Sequence, residues 1–176
     1  FILNIYDSYN DKIYDFNLFI NGKNDNYPTY KVNTSKKNYI KLQNQIRGTY
    51  QNFVITGNQF QGSETKYSSI ITDEYGNESK SQIYLFGMNS DHFRNPNGHS
   101  FRVKHKGDLF FGKKKQNFLK PITRAFGLDQ IWNSLFHKVS NGIKFNYKPV
   151  KLVFNNIDYG FYYIEPFFDK YLIEEN

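Results

Sequence analysis

Through the first 65 residues the apolar positions recur with the period of strands, or with no period at all. "YPTYKV", "KNYIKLQ" and "NFVITG" alternate in part, and "DFNLFINGKN" carries Asn21-Gly22, a dipeptide that favours a type I′ hairpin turn. No stretch here has helical period, so residues 1–65 are expected to be β-rich. "TGNQFQGSETK", with Gly57 and Gly62, reads as a loop and marks the expected boundary of this segment.

From residue 66 the pattern sharpens. "YSSIITDEYGNESKSQIYLFGM" sets two β-rich runs around the turn cluster Asp73–Asn77, which predicts a hairpin. In "HSFRVKHKG", Phe101, Val103 and His105 alternate with Arg102, Lys104 and Lys106, which predicts a strand with one basic face. "TRAFGLDQIWNSLFHKVSNG" changes period. Leu128, Ile131, Trp132, Leu135, Phe136 and Val139 fall on one helical stripe, with Thr123 as the expected N-cap and Gly142 as the residue after the helix. This stripe is expected to be buried against the sheet. "PVKLVFNNIDYGFYYIE" then reads as a hairpin turning at Asn155-Asn156, and Pro166 is placed to open a final helix in "PFFDKYLIEEN".

Composition narrows the classes. Phe (18) and Tyr (15) are abundant, and the absence of Cys excludes both a disulfide framework and a thiolate metal site. No apolar run approaches the roughly 18 residues of a membrane helix. The net charge of +7 is unevenly spread. Residues 94–151 hold thirteen Lys or Arg against Asp108 and Asp129, a net of +11, while residues 1–93 balance. A basic block of this kind favours an anionic partner.

Candidate chemistry follows the basic strand. Arg102 and Lys104, two apart, project from one face, where a planar fork and a point charge suit a triphosphate. The two glycines of "TGNQFQGSETK" lack the lysine of a phosphate loop. Asp91, His92, His99 and His105 fit no metal-ligand spacing. Lys113–Lys115 follow Phe110-Phe111-Gly112 without the RRM signature, so no nucleic-acid partner is expected and a solvated turn is. His137, beside the apolar stripe, reads as a packing residue.

Four segments together carry a resemblance to a known family. "IYLFGMNSDHF", then "SFRVKHKG" with "FFGKKKQNFL", then "PITRAFGLDQIWNSLFHKV", then "VKLVFNNIDYGFYYIEPFFDKYLIEEN" resemble the CotH family of spore-coat-type atypical protein kinases, over residues 66–176. The resemblance implies an α+β fold: a protein-kinase-like small lobe, an antiparallel sheet with one packed helix, over 66–165. A β-rich segment would precede it, and a truncated large lobe would start at 166. It implies ATP and Mg²⁺ as cofactors of an intact parent and a protein Ser or Thr as substrate. Arg102 and Lys104 would meet phosphate, and Arg124 would pair with a carboxylate or reach phosphate. Tyr163 and Glu165 would lie at an adenine-reading hinge. Catalytic and metal-holding Asp residues belong to the family's large lobe, so the chain reads as an amino-terminal, inactive fragment of a bacterial kinase. Tyr84, Phe86, Met88, His99 and Ala125 depart from the family pattern. They supply the alternative of a non-catalytic coat or envelope assembly protein. A third class, an all-β polyanion-binding module, is opposed by the expected helix over 124–140.

Overall fold

The computed structural model describes residues 27–58, 65–87, 92, 99–107, 110, 113–140, 142 and 147–168, together with the backbone of 2–7 and 12–17. Strands β1 (Ile2–Asp7) and β2 (Lys12–Asn17) pair antiparallel in a sheet of their own. The expected turn at Asn21-Gly22 lies outside the described residues; the final helix does not open at Pro166, which ends a strand, and residues 169–176 lie outside the described residues.

The remaining strands are β3 (Thr29–Thr34), β4 (Tyr67–Thr72), β5 (Glu78–Leu85), β6 (Phe101–His105), β7 (Lys115–Leu119), β8 (Lys148–Phe154) and β9 (Ile157–Pro166). They close into a barrel in the order β3-β4-β5-β6-β7-β9-β8. Neighbours are antiparallel except at the seam, where β3 runs parallel to β8 with Tyr30 opposite Leu152 and Val32 opposite Phe154. This corrects the expected fold. A kinase-like small lobe is an open sheet with a helix on one face, whereas here β3 joins β4 to β8 and leaves the sheet without open edges. β3 comes from the segment read as preceding the lobe.

Alternation fills the barrel. Val32, Ile71, Ile83, Phe101, Val103, Phe118, Leu152, Phe154 and Tyr162 are all fully or almost fully buried. The rings of Phe101 and Tyr162 stack at 6.3 Å, and Phe101 meets Phe154 edge-on at 5.8 Å. The β4–β5 turn forms as expected: Asp73 accepts from the N–H groups of Tyr75 and Asn77 and from the Asn77 side chain. At the β8–β9 turn, Asn155 and Asn156 take left-handed backbone (φ 46° and 65°), which asparagine tolerates best among residues with a Cβ.

Two helices depart from expectation in opposite ways. "KNYIKLQ" and "NFVITG", read as strands, lie in α1 (Lys36–Thr56), so residues 1–65 are not β-rich throughout. Ser35 caps its start by accepting from the Asn38 N–H, and Gly57 ends it at φ 70°. Leu42 and Ile46 are buried in the barrel core. Tyr39 packs on Phe154, and Gln43 and Gln45 bond the hydroxyls of Tyr159 and Tyr67.

The expected core helix is α2 (Leu128–Ser140), and none of its residues is buried. Leu128, Trp132, Phe136 and Val139 are at least half exposed, so the predicted burial of this stripe is overturned. The closed sheet spends its apolar face on its own interior and keeps none for α2. The expected N-cap at Thr123 also fails. Pro121–Gly127 is a 3-10 segment broken by non-helical backbone at Arg124, Ala125 and Phe126, and the Thr123 hydroxyl instead donates to the Lys120 carbonyl.

Candidate functional site: a cationic and aromatic face

The strand register sets out the site. On the outer face of the barrel, Tyr84 (β5) lies opposite Arg102 (β6), Arg102 opposite Asn117 (β7), and Asn117 opposite Glu165 (β9). Residues directly opposite in neighbouring strands point the same way, so four strands place four polar groups in one row. Arg102 Nε donates to Asn117 Oδ1 at 2.8 Å. Asn117 Nδ2 faces Glu165 Oε1 at 3.5 Å. Glu165 Oε2 accepts from Arg124 Nε at 2.8 Å and Nη2 at 2.6 Å.

Arg124 reaches this row because of the backbone around it. Ala125 and Phe126 have positive φ (43° and 55°), and Gly127 follows at 102°. Gly127 meets two demands at once: a Cβ there would be strained by φ and would stand 2.9 Å from the Tyr163 hydroxyl oxygen. Burial works against the Arg124 charge, yet the Glu165 carboxylate outweighs it and holds the guanidinium pKa above its usual value. Asp129, at 3.7 Å, adds a second carboxylate. Burial beside Glu165 raises the neighbouring Tyr147 hydroxyl to about 12.

Aromatic rings surround the other end of the row. The Arg102 guanidinium lies 3.9 Å from the centre of the Phe86 ring and 4.7 Å from that of Phe167, close enough for cation–π attraction to both. Lys115 Nζ lies 4.5 Å from the Phe167 ring, and Lys66 Nζ 5.8 Å from Tyr84. One register step away, Lys104 stands between Gln82 and Lys115 with its side chain exposed. Burial lowers the Arg102 pKa, which leaves it charged at any physiological pH because a guanidinium starts far above it.

The sequence-predicted residues therefore converge in part. Arg102, Arg124 and Glu165 join one chain of bonds, and Lys104 sits beside it in solvent. Tyr163, almost buried beneath Gly127, supports the Arg124 turn. The stretch read as a hinge is a strand. Its backbone pairs with β7 at Leu119, Asn117 and Gln116, and the Phe167 N–H donates to the Lys115 carbonyl. Lys115, read in a solvated turn, begins β7. Asn117 is not singled out by the sequence, and Phe167 enters there only through the backbone of the expected hinge. "KQNFL" does not alternate, so the sequence carries no signal that Asn117 faces outward between two charges.

The histidines are engaged with neighbouring protein groups. His105 Nε2 lies 3.2 Å from Gln116 Oε1, and Nδ1 lies 2.9 and 3.0 Å from the Ser81 and Ser79 hydroxyl oxygens, so both ring nitrogens are engaged within the protein. His99 Nδ1 donates to the Ser100 carbonyl. Among the described residues no group of three or more His, Asp or Glu is placed to hold a metal ion; Asp91 lies outside them. His137, read as a packing residue, bonds the Gly142 carbonyl through Nδ1 at 2.6 Å. No described helix is long and apolar enough to cross a membrane. No protein-family model matches the chain, and no curated protein matches it.

Proposed function

We propose that this chain is a binding domain for a phosphate-bearing ligand, with ATP as the ligand that the CotH resemblance names. The observation that supports it is the grouping of Lys66, Arg102, Lys104 and Lys115 around Tyr84, Phe86 and Phe167 on one outer face. Cations neutralise phosphate oxygens, and the partly exposed rings offer an apolar border to the base of a nucleotide. Glu165, the carboxylate in the row, is ion-paired to Arg124, and Arg102 bonds the neutral Asn117 oxygen; among the described residues no carboxylate forms an ion pair with Arg102. Phosphoryl transfer from ATP and Mg²⁺ to a protein Ser or Thr is the chemistry proposed for a larger parent. Its support is the set of segments that resemble the CotH family, since the small-lobe fold is set aside.

A second reading, binding without catalysis in coat or envelope assembly, is favoured by one feature. Phe86 covers the Arg102 guanidinium at 3.9 Å, at a position where the family pattern has a basic residue. Titration calorimetry with ATP, with and without Mg²⁺, tests the binding reading. Lys104→Ala and Arg102→Ala should each weaken binding roughly 10- to 100-fold, the value of a lost charge-assisted hydrogen bond. Lys41→Ala, exposed on α1, should leave it unchanged. Equal losses for Lys41 and Lys104 would reduce the effect to general electrostatics, and an absence of heat with the wild type would end the ATP reading.

A further inference from the structure

The apolar face of α2 is a surface feature that the proposed phosphate face does not account for. It is not confined to the helix. Ile122 and Phe126 on the broken turn are 44% and 70% exposed, and Leu128, Trp132, Phe136 and Val139 continue at 50%, 65%, 59% and 60%. Monomeric proteins rarely leave a contiguous apolar patch of this kind in water, and such patches mark interaction surfaces.

We propose that this face seats the protein on an anionic lipid surface. Three observations favour lipid over another occupant. The first is charge. Asp129, the acid within α2, is ion-paired to Arg124, and Lys138 is exposed near the helix end, so the helix offers a membrane no unpaired negative charge. The second is placement. The turn leading into α2 is tied by Arg124 to Glu165, the last member of the outward row that also holds Arg102, with Lys104 and Lys115 one step beyond. The helix is thus tied, through Arg124, to the strands that carry these cations, within a segment (residues 94–151) of net charge +11. The third is composition. Helices that lie in the headgroup boundary carry Trp, Phe and Leu on their apolar face, and four of the six exposed side chains are of these types. α2 is a single helix of 13 residues, suited to lying in that boundary and too short to span it.

The protein carries one tryptophan, Trp132, which lies in the patch, so its emission reports directly on this surface. The whole chain would be mixed with vesicles of phosphatidylcholine alone and of phosphatidylcholine with phosphatidylglycerol. The expected result is a blue shift of Trp132 and co-sedimentation with the anionic vesicles, weakened by added salt. Leu128→Asp should lower that binding about tenfold or more, through the lost apolar burial. An acidic residue in the first turn of a helix is well tolerated, so this variant should keep its far-ultraviolet circular dichroism. The proposal is overturned by an unshifted emission with anionic vesicles, by equal binding to neutral ones, or by wild-type binding of Leu128→Asp. It is also overturned by a blue shift that grows with protein concentration without lipid, which would assign the face to a second copy. ATP binding is read separately through Lys104→Ala, so either reading can fail alone.

Discussion

The two helices of this protein reverse what their sequences promise. α2 has a clean apolar stripe, yet its residues remain partly or largely in solvent. α1 has a polar average and only a weak stripe, and its strand-like fragments hide even that, yet Leu42 and Ile46 are fully buried. A helical stripe shows that one face could be buried; it does not show that the rest of the fold leaves a place for it. In an open sheet α2 would have had an apolar face to cover. Here β3 closes the sheet, the apolar faces turn inward, and α1 is the helix that packs on the core. Two side chains on α1 were enough, because its polar positions also found partners: Gln43 with Tyr159, and Gln45 with Tyr67.

The contrast between the helices predicts that emptying the α1 side of the core is the most damaging change. Leu42→Ala or Ile46→Ala should cost about 2–5 kcal/mol, the range for truncating a fully packed aliphatic side chain. Urea unfolding followed by circular dichroism measures it. A loss below about 1 kcal/mol at both positions would mean that α1 does not close the core, and the contrast with α2 would collapse.

Where the elements were legible in the sequence, a local signal and a tertiary constraint agreed. The β4–β5 hairpin declares itself through Asp73–Asn77, the β8–β9 hairpin through Asn155-Asn156, and β6 through strict alternation about Arg102 and Lys104. Closure was not legible, because a parallel β3–β8 seam joins residues more than a hundred positions apart and leaves no local mark. The site shows the same division. Arg102, Lys104, Arg124 and Glu165 could be named from the chain. Their order in space could not, since it passes through Asn117, a residue with no pattern around it.

The buried histidines offer a second test, which for either one alone falls within the same range. Burial lowers the pKa of both His99 and His105 to about 4 from an ordinary value near 6.5. In that window the unfolded chain binds protons that the folded barrel does not, so stability rises with pH between about 4 and 6.5. It should therefore be lost as pH falls through that range, by about 3 kcal/mol for each histidine at the lower end. Asp73, Glu74 and Asp158 have lowered pKa values and add their losses below it. Urea midpoints at pH 7 and pH 4.5 measure the slope, and His105→Gln should flatten it. A slope unchanged by that substitution would place His105 in water, and the packing of the polar interior would have to be redrawn.

The link between α2 and the barrel is the next smaller effect. Glu165→Gln removes the charge that holds Arg124 and should cost about 1.5–3 kcal/mol, as for a hydrogen bond to a charged group. Because Arg124 begins the broken turn, the same change should speed hydrogen exchange at residues 128–140 more than at β8. Uniform acceleration across both would show that the ion pair stabilises the barrel as a whole rather than tethering the helix to it.

The smallest effect is expected at the most conspicuous residue of the stripe. Trp132→Ala removes the largest side chain on α2. With Trp132 65% exposed, the change forfeits little buried area and creates no cavity. Alanine also has the higher helix propensity, which offsets part of whatever packing the indole gives its neighbours along the helix. The net change should fall within about 0.5 kcal/mol, as for surface positions generally. Circular dichroism in urea is the right probe, since the substitution removes the protein's only tryptophan and with it the indole emission. A cost above about 2 kcal/mol in lipid-free solution would mean that α2 packs on something in the protein itself. Sedimentation at two concentrations would then show whether the cover is a second copy, and the division of labour between α1 and α2 would hold only for an isolated chain.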